Sequence, residues 1–190
     1  PHQLSCVPNG CACILRIAFV TPELQPLVRR TNLAEVAEAL PRTLVAQNQK
    51  VLVFMPHTVD VDPNEIEDLT EVGTVDVGDL SPTPFTVSRG VYRSIPLALF
   101  QHPQLFSGRN PYGNENGPYP DNWRRYAAFA RAVLASFELL DYKPSVIHCM
   151  DWTAGMVPLY RHIDYLAKEP DHPVSKAGVF FSFQNIAMQG

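Results

Sequence analysis

The sequence has no run of about 18 apolar residues, the length a helix needs to cross a bilayer, so no membrane span is expected. It has no excess of positive charge. Fifteen Lys and Arg stand against nineteen Asp and Glu, a formal charge of -4. A basic face is the usual footprint of nucleic-acid binding, and that partner class is set aside. Cysteine is scarce and poorly spread for a metal or disulfide framework. Cys6, Cys11 and Cys13 lie in the first thirteen residues and Cys149 stands alone. No Cys or His pair follows at metal-finger spacing, so no metal and no cofactor are predicted. The stretch before Ile14 lacks a charged n-region and has only a short apolar run, so it is not read as a secretory signal. Residues 1–13 are read as an extension expected to be disordered, in a chain whose default compartment is reducing. Also missing are a P-loop, a nucleophile elbow and a zincin motif. No internal repeat is visible, and no carboxylate pair stands out as in a glycoside hydrolase.

What is present suits one domain over residues 14–190, with 46% apolar residues to fill its core. Ile14 to Val20 is apolar and β-branched, as in a strand covered on both faces. A loop from Thr21 to Asn32 follows. From Leu33 the apolar residues Leu33, Val36, Ala37, Leu40 and Leu44 recur at helical spacing, to about Gln47, with a kink expected at Pro41. Lys50 to Met55 is a second buried strand. Strand, helix, strand in repetition predicts an α/β fold, a mainly parallel sheet with helices on both faces. His57 to Pro84 is acidic and proline-broken, an irregular insertion with a weak strand at Thr74 to Val77. Phe85 to Tyr92 and Ile95 to Phe100 are two more strands. Phe106 to Asn122 is a long loop rich in glycine, proline and tyrosine, the pattern of a binding loop. Asp121 or Asn122 is expected to cap a helix reaching Leu140. Val146 to Cys149 and Val179 to Phe183 are expected inside the sheet with the first two strands. Between them, a tight turn at Asp151 leads into a helix from about Thr153 to Ala167.

In a parallel sheet, ligands sit outside the carboxyl ends of the strands. Three such ends collect polar residues: Arg29, Arg30, Thr31 and Asn32; then His148, Asp151, Trp152 and Thr153; then Gln184, Asn185 and Gln189. Asp121 and Asn122 start another helix and can join them. Amides, a carboxylate and an aromatic ring are side chains that hold a sugar, and helix N-termini suit phosphate or sugar hydroxyls. Each also has a plain structural reading. Asp151 and Thr153 can simply cap a helix, Trp152 can be core, and His148 can be a satisfied structural histidine. Arg29 and Arg30 can be a solvated pair.

These residues resemble the N-terminal half of bacterial glycogen synthases and plant starch synthases. The family opening S/T-x-E-x-x-P-x-x-K-T-G-G-L-A-D-V is similar to Thr21-Pro22-Glu23 through Arg29-Arg30-Thr31-Asn32-Leu33-Ala34-Glu35-Val36, with Leu40-Pro41 in place. Its Y-G…Y-x-D-N-x-x-R-F resembles Tyr112-Gly113 and Tyr119-Pro120-Asp121-Asn122-Trp123-Arg124-Arg125-Tyr126. Its H-x-H-D-W-H-x-G-L-x-P resembles His148 to Pro158, and its T-I-H-N-L-A-Y-Q-G resembles Ser182 to Gly190. The resemblance implies the Rossmann-like N-terminal half of a GT-B glycosyltransferase that transfers glucose from ADP-glucose to an α-1,4-glucan with retention and without metal. It implies substrate contacts at Asp121, Asn122, Asp151, Trp152, Asn185 and Gln189, and a cytoplasmic or plastid-stroma location. Partners would be an α-glucan, ADP-glucose, and a C-terminal domain in cis or trans.

The departures fall on the chemistry. Arg29 stands for the family's Lys, and Thr31-Asn32 for its Gly-Gly. Glycines there let backbone approach phosphates, and a Cβ at both positions obstructs this. Arg is also larger and more planar than Lys. Thr153 replaces the His that meets the transferred sugar, and Gln184 a second His. No residue is therefore assigned as catalytic, and the isolated chain is expected to be inactive. The alternative is a non-catalytic relative serving as a glucan-binding, regulatory or structural module.

Overall fold

The structure is a computed structural model and describes residues 13–185. Of the expected 1–13 extension, only Cys13 lies among them, and it is exposed. Gln189 also lies outside them.

Seven strands form one sheet. They are β1 (Arg16–Val20), β2 (Lys50–Pro56), β3 (Glu67–Val75), β4 (Phe85–Tyr92), β5 (Ile95–Gln101), β8 (Val146–Met150) and β9 (Gly178–Ser182), in the order β3-β4-β5-β2-β1-β8-β9. The pairs from β5 through β9 are parallel, and β4 runs against both its neighbours. A separate two-stranded hairpin, β6 (Gly113–Asn114) and β7 (Gly117–Pro118), sits in the long loop. The mainly parallel α/β sheet expected from the strand pattern is therefore present.

Side chains alternate between faces along a strand, and this divides the core in two. Ile17 and Phe19 of β1, with Val51, Val53 and Met55 of β2, pack under helix α1 (Leu33–Ala46) through Leu33 and Ala37. Ala18, Val20, Leu52 and Phe54 face the other way, against helix α2 (Asn122–Leu139). Helix α1 continues past the buried Pro41 to Ala46. Burial pushes the Cys149 thiol up to about 12, leaving it an inert core group.

Three expectations need correction. Of the weak strand expected at Thr74 to Val77, only Thr74 and Val75 are strand, and they end the nine-residue β3. β3 was hard to read because it is an exposed, acidic edge with register shifts and no clean alternation. Strand β9 is not inside the sheet but at its other edge, with Val179, Phe180 and Phe183 exposed. The helix after Asp151 is broken into a 3₁₀ turn at Trp152–Ala154, helix α3 (Met156–Tyr160) and a wider π-type stretch at Arg161–Leu166. A short helix α4 (Pro173–Lys176) then leads into β9.

His102 follows β5 and has no exposure. Its Nδ1 accepts the backbone N–H groups of Gln104 and Leu105, both at 3.2 Å. Its Nε2 lies 2.8 Å from Ser81 Oγ and 3.1 Å from the Thr83 carbonyl oxygen. A proton on Nδ1 would face two donors, so the geometry fixes a neutral ring. Burial lowers the affinity of His102, His57 and His148 for protons. A histidine whose folded value is depressed contributes stability above its unfolded value, near 6.5, and loses it as pH falls through the folded value. Thermal unfolding of the chain should therefore move to lower temperature as pH drops from about 7 to about 5. Asp121, held below the usual carboxylate value by Arg109, adds a separate loss only in stronger acid. A flat melting temperature across that first window would contradict the assignment.

Candidate functional site

The β1–α1 loop is built on one carboxylate. Glu23 has no exposure, and four donors converge on it. Oε2 accepts the backbone N–H of Arg30 at 2.7 Å and of Thr31 at 2.8 Å. Oε1 accepts the Thr31 hydroxyl at 2.8 Å and a short bond from the Tyr112 hydroxyl. Thr31 Oγ1 in turn accepts the Leu33 N–H at 3.2 Å. Asn32 occupies the N-cap position of α1 but makes no side-chain cap bond. The loop thus spends the N–H groups of Arg30, Thr31 and the first helical residue, Leu33, on its own side chains.

Its two arginines are engaged as well. Arg29 pairs with Glu35 at 2.8 Å in an exposed contact. Arg30 makes two bonds to Asp60 and one of 2.9 Å to Asn110 Oδ1, tying three loops together.

The β8 end is joined to the β9 end by Asp151. Its carboxylate accepts the backbone N–H of Gln184 at 2.8 Å and of Asn185 at 3.4 Å, while its own N–H donates to Ser182. Its φ of 58° is left-handed, an uncommon conformation for a residue with a Cβ. Neither Asp151 nor Thr153 caps α3. The buried Thr153 hydroxyl points to the Met150 carbonyl oxygen at 3.4 Å. Trp152 is half-buried against Tyr126 and Tyr112, with ring centroids 5.1 and 6.0 Å away. His148 bonds Ser182 Oγ at 2.9 Å and lies between Phe19 and Phe180, the structural reading of that residue.

Two of the three strand ends meet at a cleft. Arg30, Thr31, Asn32 and Leu33 face Gln184 and Asn185 across about 370 Å³. Asp151 shapes it from below through the Gln184 and Asn185 backbone. Asp121 and Asn122 do not line it. The Asp121 carboxylate takes both arms of the Arg109 guanidinium, at 2.7 and 2.8 Å. Although Asp121 stands at the N-cap position of α2, its side chain makes no cap bond. The Asn122 amide donates to the Tyr112 carbonyl oxygen at 2.7 Å and accepts from Arg125 at 2.7 Å. Both brace the long loop. Among the described residues no cluster of His, Cys, Asp or Glu has the form of a metal site.

Two residues quoted within the family motif were given no role from the sequence. Arg125 is fully buried and holds the backbone of the long loop at Leu105, Asn110 and Pro111. The available signal was a charge one turn before Phe129 on the buried face of α2. Trp123 is 70% exposed at the start of α2, a flat apolar surface beside the rim. The Glu23 geometry also makes a prediction. Glu23→Gln places an amide donor against groups that already donate, and should destabilise the fold by about 2–3 kcal/mol in urea titration. Tyr112→Phe, which removes one donor, should cost about 1 kcal/mol. Equal stability of Glu23→Gln and the parent would refute this arrangement.

Comparison with known proteins fits the geometry. The family model described as starch synthase catalytic domain matches residues 16–190. A glycogen synthase of Geotalea daltonii is 34% identical over 181 residues, covering 93% of this chain and 36% of the relative. One from Geotalea uraniireducens is 34% identical over 184 residues with the same coverage. The chain thus spans about a third of the length of these relatives. The catalytic domain of starch synthase IV from Arabidopsis thaliana, bound to ADP and acarbose, superposes with a TM-score of 0.77 at 24% identity. The match covers 91% of this chain and 34% of that one, a likeness of fold. From the first residue of β1 through the rim that carries the cleft, the chain belongs to the starch synthase catalytic domain family.

Proposed function

We propose that this chain, over residues 14–190, is the acceptor-side half of a GT-B glucosyltransferase of this family. Completed, such an enzyme transfers glucose from ADP-glucose to an α-1,4-glucan with retention. By itself the half binds glucan and leaves the nucleotide sugar to a C-terminal domain, joined in cis or supplied in trans. The exposed Phe180 and Phe183 at the β9 edge support a further protein surface there. Among the described residues no helix is long and apolar enough to cross a membrane. A cytoplasmic or plastid-stroma setting fits a glucan synthase.

The observation that carries this reading is the self-closed β1–α1 loop. Arg30 and Thr31 direct their N–H groups at Glu23, and the Arg30 guanidinium is held by Asp60 and Asn110. A nucleotide diphosphate would have to displace those bonds. The amides of Asn32, Gln184 and Asn185 suit sugar hydroxyls instead. Asp151 and Trp152 shape the sugar rim. Asp121 and Asn122 continue the rim beside Trp123, whose exposed ring offers a stacking face. A second reading, a non-catalytic glucan-binding module, draws on Thr153. Its hydroxyl is turned inward at the position where the family carries a histidine.

Two measurements test the proposal. Labelled glucose from ADP-glucose should not be incorporated into glycogen by the purified 190-residue chain; incorporation would overturn it. In a nuclear magnetic resonance titration, maltoheptaose should shift the Asn185 and Asp121 amides with a millimolar Kd, roughly -4 kcal/mol. Trp123→Ala should weaken that binding about threefold to tenfold, the value of a lost ring contact. ADP-glucose shifting the Thr31 to Leu33 amides, with no glucan response, would show the two ligands assigned in reverse.

A further inference from the structure

A second cavity opens further along the same rim, between the loop after β2 and the loop after β5. It measures about 240 Å³ and is lined by His57, Thr58, Val61, Gln101, Ser107 and Gly108. It shares no lining residue with the Arg30–Asn185 cleft. Two features set it apart. Thr58 Oγ1 and Ser107 Oγ are both covered from solvent, and among the described residues neither has a hydrogen-bond partner. Buried hydroxyls are nearly always partnered. Here two orphans, from different loops, belong to residues that line one cavity.

The walls are fixed in place. His57 donates its backbone N–H to Phe100 at 2.9 Å, Val59 to Arg109 at 3.0 Å, and Ser107 to His102 at 3.0 Å. They are also uncharged. The three charged side chains adjoining the lining in sequence are spent elsewhere, Asp60 on Arg30, Asp62 on Asn64 and Arg109 on Asp121. Burial favours the neutral form of the His57 imidazole. At a liquid share of about 30 Å³ each, the cavity has the volume of roughly eight waters, far more than a single bridging water needs. Two hydroxyls, an amide and an imidazole can each meet a ligand that carries both donors and acceptors. An anion would find no fixed cation here, and a cation no carboxylate.

We infer that this cavity is a separate binding site for one neutral, polyhydroxylated ring, which hydrogen-bonds the Thr58 and Ser107 hydroxyls after a small rotation of each. A free hexose and the end unit of a glucan share that chemistry. The inference stands independently of the cleft's role.

The test is an amide chemical-shift titration of the whole 190-residue chain with glucose, maltoheptaose and inorganic phosphate in parallel. Glucose should shift the Thr58, Ser107 and Gly108 amides with a millimolar Kd. If maltoheptaose shifts them at equal molar concentration, the site also takes a chain end; if only glucose does, it takes the free sugar. Both outcomes support the site. Thr58→Val and Ser107→Ala should each weaken glucose binding at least fivefold. Neither should lower the melting temperature, because each removes a hydroxyl that has no partner. Neither should alter the response of Asn185 to maltoheptaose. No shift at these amides with about 100 mM glucose, which would nearly saturate a site of a few millimolar Kd, would overturn the inference. So would phosphate shifting them as strongly, or a lowered melting temperature in Thr58→Val. If the Asn185 amide ignores glucan while Thr58 responds to glucose, the cleft assignment fails and this one stands.

Discussion

A guanidinium with no access to water must find its acceptors inside the protein, and Arg125 finds them on the long loop. It donates to the carbonyl oxygens of Leu105, Asn110 and Pro111 and to Asn122 Oδ1. Its Cζ lies over Phe106 and Tyr119, with ring centroids 4.8 and 4.9 Å away. Desolvating a charge costs several kcal/mol, and this cost is offset only if the acceptors stay in position. The requirement works in both directions. The loop secures the arginine, and the arginine prevents a stretch rich in glycine and proline from wandering. Since α2 is packed across the sheet, a loop fastened to Arg125 is fastened to the core.

The constraint is passed to the site through Tyr112. This residue sits on the loop that Arg125 holds, and its hydroxyl reaches the buried Glu23 carboxylate. Glu23 then sets the path of residues 30 and 31. Arg30 closes the circuit by returning to Asn110. Two buried charges of opposite sign therefore shape the rim without touching each other, through backbone and a phenol. The burial and the nearby Glu23 carboxylate raise the Tyr112 phenol well above its usual value, so it stays a donor. A site assembled in this way is preorganised and should change little when a ligand arrives.

The fold was legible because buried parallel strands and an amphipathic α1 write their periods directly into the chain. The family was legible because polar residues at strand ends recur in a fixed order. What did not show was whom each polar residue faces. Asp121 and Asn122 read as sugar ligands from their place at a helix start, yet their side chains meet Arg109, Tyr112 and Arg125. A side chain's partner twelve residues away leaves no local pattern. Edge strands were also poorly legible. β3 lacks the apolar alternation of a half-buried strand, and β9 looks like core because its apolar residues are those of an inner strand.

That last resemblance has a practical side. An edge strand normally protects itself with charge, proline or a bulge, as β3 does with its acidic residues and register shifts. β9 carries Gly178-Val179-Phe180-Phe181-Ser182 with none of these. Among the described residues its outer side offers unpaired backbone groups beside exposed phenylalanine rings. The seam sets the colloidal behaviour of the isolated polypeptide. Concentration, salting-out and long storage will all draw copies together along it.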